Sequence, residues 1–272
     1  MSLDKGENLI KELEKTKDKK VTLSKSDEYL VGVDLGTAYI VIVVLDKDKK
    51  PLAYEMEFAQ VVRDGILVDY IGALNIVKRL KEKIEDRLGI TLTKAAIAVP
   101  PGTHENDCKS HTYVVEGAGM DVTDILDEPT AANAVLQIEN GVVVDIGGGT
   151  TGLSIFKDNE VIYTADEATG GTHLSLVISG ALKTPFEEAE NIKKDTSRYE
   201  EVFPMVIPVI QKVASIVNRH IKGFDVDEIY LVGGTCCLKG IENIVQKETG
   251  IKTFKPSNPF LVTPLGIARS CK

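Results

Sequence analysis

The chain has 272 residues, with 32 Lys or Arg against 41 Asp or Glu, which gives a net charge of −9 and a pI near 5.1. This acidity argues against a nucleic-acid binder, because phosphate neutralisation needs a basic surface. With 43% hydrophobic and 27% charged residues, the composition is that of a globular protein with a core and excludes general disorder. The longest apolar run, Tyr39 to Leu45, is far shorter than the roughly 20 residues that span a bilayer. The sequence therefore predicts neither a membrane span nor a signal peptide.

The cysteines and histidines show no metal-ligand spacing and no CxxC pair. We therefore predict free thiols in a reducing cytoplasm, at Cys108, Cys236, Cys237 and Cys271. A redox-active pair at Cys236 and Cys237 is the alternative. Small loop residues are the favoured interpretation, since thiol reactivity needs a lowered pKa.

Residues 1–28 contain seven Lys and seven Asp or Glu, with few large aliphatic side chains. This charged composition predicts a solvated helix or mobile arm. Leu9, Ile10 and Leu13 leave a second interpretation open, in which the arm docks as an amphipathic helix and contacts a partner.

Two units of similar order follow the arm. Runs rich in β-formers that meet at glycine predict hairpins, and apolar residues every three to four positions predict amphipathic helices. The first unit has a hairpin over 30–45 bent at Gly36, a third strand from Pro51, an Asp-Gly turn at 63–66, a helix over 73–88, a strand over 95–99 and a helix ending at Gly117. The second has a hairpin over 142–156, a strand near 161–163, helices over 172–182, 185–194 and 199–222, a strand over 228–232 and a helix ended by Gly250.

The same short motif, Val-Asp-(Leu or Ile)-Gly, lies at the bend of both hairpins. Its aspartates, Asp34 and Asp145, are 111 residues apart. We therefore predict a duplicated α/β fold with a cleft between the two halves.

Glycine and threonine follow each of these aspartates, at 36–37 and 147–150. Glycine lets the backbone approach an anion and direct N–H groups toward it, and a threonine hydroxyl adds a donor. Carboxylate oxygens suit Mg²⁺, whose remaining ligands are water and substrate phosphates. Either motif alone is equally well explained as a hairpin turn; the two equivalent copies favour phosphate loops that hold Mg²⁺ between Asp34 and Asp145.

Two further segments suit a nucleotide site. Glu128 precedes a helix of small residues, where it can stabilise the helix dipole, position a water molecule, or do both. Gly233 and Gly234 follow a buried strand, and their missing side chains would admit a flat ring.

Together these segments resemble the five ordered motifs of the actin, heat-shock-70 chaperone and sugar kinase superfamily. The resemblance implies an α/β fold, the duplicated actin-like (ribonuclease-H-like) ATPase fold, with two α/β domains around a nucleotide cleft. The matching segments are phosphate 1 (31–37), connect 1 (126–134), phosphate 2 (142–151), adenosine (229–234) and connect 2 (259–268). The implied domains are 29–137 with 258–272, and 138–257.

The resemblance also implies a role for each matching residue toward ATP or ADP and Mg²⁺. Asp34 and Asp145 hold the metal and, with Glu128, form the catalytic set; Glu128 orients the attacking water. The nucleotide-binding residues are Gly36, Thr37, Gly147, Gly148, Gly149, Thr150, Thr151, Gly233, Gly234 and, for ribose and adenine, Glu190 with Lys193. An exposed ion pair is the alternative for the last two.

The sequence departs from the chaperones in three respects. Ala38 replaces a second threonine of the first loop, the large insertion subdomains and the usual site of the catalytic lysine are missing, and no substrate-binding β-domain is predicted. We therefore expect slow hydrolysis by the isolated protein.

Within the superfamily the chain resembles a compact chaperone-like family of ethanolamine utilization, associated with a bacterial microcompartment. This implies a cytoplasmic Mg·ATP-dependent switch that protects or reactivates a partner enzyme, ethanolamine ammonia-lyase, or acts on microcompartment components. A filament-forming actin homologue or microcompartment-assembly protein is the alternative. A metabolite kinase is disfavoured, because neither an extra general base nor a substrate domain is evident.

Overall fold

The computed structural model describes residues 2–17 and 28–272, with the backbone alone for 2–4. In chain order the first unit comprises α1 (Ser2–Glu14), β1 (Tyr29–Leu35), β2 (Tyr39–Asp46), β3 (Pro51–Phe58), β4 (Val62–Arg63), β5 (Ile66–Leu67), α2 (Tyr70–Leu88), β6 (Lys94–Val99), α3 (Glu105–Gly117), β7 (Asp121–Asp127) and α4 (Glu128–Leu136). The second comprises β8 (Gly141–Ile146), β9 (Thr151–Lys157), β10 (Glu160–Glu167), α5 (Gly171–Leu182), α6 (Phe186–Lys194), α7 (Tyr199–Ile221), β11 (Glu228–Val232), α8 (Ile241–Thr249) and β12 (Lys252–Phe254). The last helix, α9 (Val262–Ser270), returns to pack on β1 and β2 of the first unit.

Two five-stranded sheets have the same topology. Their strand orders are β3-β2-β1-β6-β7 and β10-β9-β8-β11-β12. In each sheet the three leading strands are antiparallel neighbours, and the last two run parallel to the central strand. The predicted duplication is thus confirmed, although the sequence patterns did not predict the edge strands β7 and β12.

The hydrophobic core of the described residues has one cluster on each sheet, a third between them and a small fourth one that includes Ala131 and Ile267. The third cluster joins Val41 and Val43 of β2 to Val143 of β8 and to residues of α4 and α9. The closest helix contact is at Gly266 of α9, where a Cβ atom would lie 1.9 Å from the carbonyl oxygen of Ala131 in α4. The two halves are therefore joined through tightly packed helices directly behind the cleft.

The N-terminal helix α1 is packed against the rest of the chain. Ile10 and Leu13 are completely buried in the third cluster. Glu7 accepts a hydrogen bond from the Ser257 backbone N–H (2.6 Å), and the Asn258 amide donates to Glu14 (2.7 Å). For these residues the prediction of a solvated or mobile arm is wrong, because the apolar face of α1 packs against the third cluster. The remainder of the predicted arm, residues 1 and 18–27, lies outside the described residues.

Candidate functional site

A cavity of about 820 Å³ lies between the two sheets. Residues from both halves line it. The lining includes these predicted site residues: Asp34, Gly36, Thr37, Glu128, Asp145, Gly147, Gly148, Gly149, Thr150, Glu190, Lys193, Gly233 and Gly234. Folding thus brings together segments that are spread over 200 residues of sequence.

The loop between β1 and β2, residues 36–38 (the first loop), borders one side of the cavity. Asp34 is near the end of β1, paired with Val41 of β2 and Ala98 of β6. Gly36 has little free space, since a Cβ there would lie 2.9 Å from the carbonyl oxygen of Tyr39. The tight hairpin bend therefore requires glycine two residues after Asp34.

The loop between β8 and β9, residues 147–150 (the second loop), lies opposite and is anchored from behind. The carbonyl oxygen of Gly147 accepts hydrogen bonds from Gly171 N–H (2.9 Å) and the Thr235 hydroxyl (2.7 Å), and that of Gly148 accepts one from Thr172 N–H (2.8 Å). Because the carbonyl and N–H of a trans peptide point in opposite directions, this anchoring turns the N–H groups of 148 and 149 toward the cavity. Such an arrangement suits an anion.

The two loops approach each other so closely that a side chain at two of the three glycines of the second loop would press against the first loop. A Cβ at Gly148 would lie 3.2 Å from the Ala38 Cβ, and one at Gly149 would lie 2.8 Å from the Thr37 hydroxyl. The absence of side chains at Gly148 and Gly149 therefore lets the two loops meet at one point of the cleft.

Three carboxyl groups converge between the loops. Burial, and next the charge of Asp145, raise the pKa of Asp34 to about 7. Burial raises the pKa of Asp145 to about 6, although the hydrogen bond from Thr263 acts in the opposite direction. Burial, followed by the charges of Asp145 and Asp34, holds the pKa of Glu128 well above its usual range. These groups ionise reluctantly because their charges are neither solvated nor balanced.

This donor set fits a hard cation such as Mg²⁺, which prefers carboxylate oxygens and would neutralise the converging charges. Among the described residues no group of three or more His, Cys, Asp or Glu side chains encloses a metal position. A cation between Asp34 and Asp145 would therefore need water or phosphate oxygens to complete its shell.

The predicted adenosine segment and Glu190 also line the cavity. Gly233 has φ of 91°, and a Cβ there would lie 2.2 Å from Asp145 Oδ1. Glu190 is buried and accepts from Ser175 (2.5 Å) and Lys193 (2.7 Å), and it also pairs with Lys194 (3.0 Å). Burial opposes ionisation of Glu190, but the two lysines outweigh it and lower its pKa. The ion pair of the alternative interpretation is therefore present, but it is buried and not exposed.

Other lining residues were missed by the sequence motifs. Lys194 of α6 reaches across the cleft, donates to the Tyr39 hydroxyl (3.2 Å) and lies 4.7 Å from the centre of the Phe58 ring. Phe260 packs edge-on against Tyr39 with ring centroids 5.4 Å apart. A lysine beside Glu190 and an aromatic residue after the first loop are too common in sequences to signal such a contact.

Thr151 is the one predicted nucleotide-binding residue outside this cavity. It is completely buried in β9, and its hydroxyl donates to the Thr169 carbonyl (2.5 Å). Its assignment is corrected, because strand alternation turns it away from the loop that Thr150 belongs to.

Cys236 and Cys237 lie in the short 3₁₀ turn Gly234–Cys237. Burial raises the pKa of both thiols, which favours the interpretation of unreactive residues over a redox-active pair.

Comparison with known proteins identifies the family. The ethanolamine utilization protein EutJ of Salmonella typhimurium is 44% identical over 241 residues, covering 88% of this chain and 85% of that protein. The crystal structure of EutJ from Carboxydothermus hydrogenoformans is 46% identical, with a TM-score of 0.92 over 99% of both chains. The chain belongs to the EutJ family of ethanolamine utilization proteins.

More distant matches define the fold of this family. A family model described as type IV pilus assembly protein PilM matches residues 110–266, so the chain also belongs to that wider group. The PilM–PilN type IV pilus biogenesis complex (14% identity, 88% of this chain and 97% of that chain) and MreB5 of Spiroplasma citri bound to ADP (15%, 89% and 95%) each give a TM-score of 0.72. The predicted α/β actin-like ATPase fold is confirmed. None of the described helices has the length and apolar character of a membrane span.

Proposed function

We propose that this protein binds ATP and ADP with Mg²⁺ in the cleft and acts as a nucleotide-dependent switch on a partner enzyme. The main support is the convergence of two glycine-rich loops and three unbalanced carboxyl groups on one cavity. The structures of MreB5 of Spiroplasma citri, bound to ADP and to AMPPNP, add support because they share the fold.

Each group has a proposed task. Backbone N–H groups of 148 and 149 and the hydroxyls of Thr37 and Thr150 would bind phosphate oxygens, while Asp34 and Asp145 hold the cation. Glu128 would orient water for attack on the terminal phosphate. Mg²⁺, when bound, would neutralise charge on the phosphates.

We expect hydrolysis by the isolated protein to be slow. Phosphoryl transfer depends on positive charge placed around the transferred group. Lys193 and Lys194, although they line the cavity, are paired with Glu190. A partner that contributes or frees a cation would accelerate the reaction.

Nucleotide binding is tested with Asp145→Asn, which keeps the shape of the side chain and an acceptor for Thr263. A ligand selective for the folded state raises the melting temperature. We expect ADP with Mg²⁺ to stabilise the wild type and the control Asp121→Asn, an exposed site, but to lose its Mg²⁺-dependent effect on Asp145→Asn. A full shift in the Asp145 variant would refute the assignment of the second loop.

The switch rests on the two proposed domains, 29–137 with 258–272 and 138–257. A nucleotide that touches both would favour the arrangement to which it binds more tightly. The family connection to ethanolamine utilization makes ethanolamine ammonia-lyase, in the cytoplasm or at a microcompartment, the proposed partner. Capture of that enzyme by the immobilised protein should differ between ATP and ADP, and equal capture would refute the switch.

Assembly into filaments or microcompartment structures is the second candidate. One observation favours it: Ile66, Val68, Ile71 and Tyr113 are each more than half exposed, on β5, α2 and α3 and the turn between β5 and α2. Neighbouring exposed apolar residues are typical of protein contact surfaces. Sedimentation with and without ATP distinguishes the candidates, since a filament former pellets and a discrete switch does not.

A further inference from the structure

Asp166, near the end of β10, has no place in the motifs of the sequence. In the structure it pairs across the sheet with Gly152, two residues beyond the second loop. A Cβ at Gly152 would lie 3.5 Å from Asp166 Oδ1 and 3.4 Å from Pro129 Cγ. The carboxyl group of Asp166 therefore borders Gly152 and lies near Pro129, the residue that follows Glu128.

One oxygen of this carboxyl group has no protein donor. Asp166 Oδ1 is inaccessible to solvent and receives no hydrogen bond from any residue that the structure describes. A buried carboxylate oxygen without a donor is costly, and native proteins satisfy such atoms with water or an ion. The position thus calls for a donor that is not part of the chain.

The surroundings restrict what that donor is. Asp166, Gly152 and Asp145 are paired neighbours on β10, β9 and β8, so the two acids lie in one row across the sheet with only Gly152 between them. The charge of Asp166 also raises the pKa of both Glu128 and Asp145. A second cavity of about 260 Å³ borders Asp166 and also contains Asp64 and Asp107. An anion is disfavoured among these acids, whereas a hydrated cation supplies water O–H donors and positive charge together.

Resting on the proposed function, we propose that Asp166 is a positioning residue for the cation: its Oδ1 accepts a hydrogen bond from a water molecule of the Mg²⁺ shell held between Asp34 and Asp145. The carboxylate acts through that water and does not ligate the metal. Mg²⁺ commonly keeps several such waters in proteins, and second-shell partners of this kind tune metal affinity.

Asp166→Asn tests the proposal, because it removes the charge and keeps the size of the side chain. Glu167→Gln is the matched control: Glu167 is adjacent on the strand and binds His220 (3.0 Å) and Arg219 instead. Calorimetric titration of ADP with Mg²⁺ and with EDTA measures how strongly Mg²⁺ tightens binding. We expect Asp166→Asn to reduce that tightening about tenfold, the size of one charge-assisted hydrogen bond, without weakening ADP binding in EDTA.

Several outcomes would overturn the proposal. Full Mg²⁺-dependent tightening in Asp166→Asn, or an equal loss in Glu167→Gln, would refute the role of Asp166 alone. If Asp166→Asn binds ADP more weakly to the same extent in EDTA and in Mg²⁺, the role of Asp166 is structural and the proposal is refuted. The same equal weakening in Asp166→Ser would support that structural role. If the wild type binds no ADP in either condition, the proposed function fails, and the role of Asp166 fails with it.

Discussion

Replacing Gly266 by alanine should separate the two helices that join the halves, without touching the cavity. The new Cβ would lie 1.9 Å from the carbonyl oxygen of Ala131, whereas an ordinary contact begins at 3.4 Å. The helices α4 and α9 must therefore move apart by about 1.5 Å, since neither the Cβ nor the backbone carbonyl can rotate away.

The cost follows from this displacement. Overpacking of a rigid contact costs about 3 kcal/mol, and the better helix propensity of alanine returns about 1 kcal/mol. A net loss of about 2 kcal/mol corresponds to a melting temperature about 4–8 °C lower for a chain of this size. Because α4 begins with Glu128 and α9 contains Thr263, which donates to Asp145, nucleotide affinity should fall as well.

Gly180→Ala is the matched control. Gly180 also lies in a helix, α5, but a Cβ there meets nothing within 4 Å. We expect this variant to gain about 0.5–1 kcal/mol from helix propensity and to bind ADP normally. Calorimetric melting curves and ADP titrations of the two variants provide the comparison. If Gly266→Ala melts at or above the wild-type temperature, the close packing of α4 on α9 is refuted.

Three further predictions concern α1 and the carboxyl groups. Ile10→Ala with Leu13→Ala should destabilise the protein by about 2–4 kcal/mol per site in urea unfolding, while exposed Glu12→Ala is neutral; an unchanged midpoint would show that α1 is not docked. Glu128→Gln should keep ADP binding but lower any hydrolysis at least about 10-fold, as measured by phosphate release; unaltered turnover would contradict its role. In EDTA, the free energy of unfolding should fall from pH 5 to pH 8, because the raised pKa of Asp34 makes ionisation of this group costly only in the folded state. The melting temperature of Asp34→Asn should depend less on pH. An equally steep pH dependence in the variant would be evidence against the raised pKa of Asp34.

Local patterns in the sequence were sufficient for the elements that place the loops. The hairpins over β1–β2 and β8–β9 combine long apolar runs with bends that contain glycine, so periodicity and turn chemistry agree. The edge strand β7 could not be predicted in this way, since its residues are mostly half-exposed and polar, and β12 has only three residues. Such strands exist because a neighbouring strand offers free backbone hydrogen-bonding groups, which is a property of the folded sheet.

The residues of the site show the same limit of sequence-based prediction. Motifs predicted which backbone segments meet. They did not predict that Glu190 is buried, because its hydrogen bond from Ser175 forms only when α5 packs on α6. The orientation of Asp166 depends on strand register. An irregularity in the pairing of β10 with β9 between Val161 and Tyr163 changes which later side chains face the cleft. Docking of α1 was equally hidden, because an amphipathic pattern indicates an apolar face and not the surface that covers it.

The close contact between the two loops has a consequence for how nucleotides would act. Gly148 and Gly149 already approach Ala38 and Thr37, while Lys194 joins the two sides at the rim of the cavity. Phosphates inserted between the loops must therefore widen the gap there, and a third phosphate with its cation demands more room than two. A wider gap would rotate one half relative to the other, and the helices α4 and α9 would have to accommodate that rotation. Their contact at Gly266 is too close to allow much adjustment. Under the proposed function, a difference of one phosphate would thereby favour different arrangements of the two halves, as a switch requires.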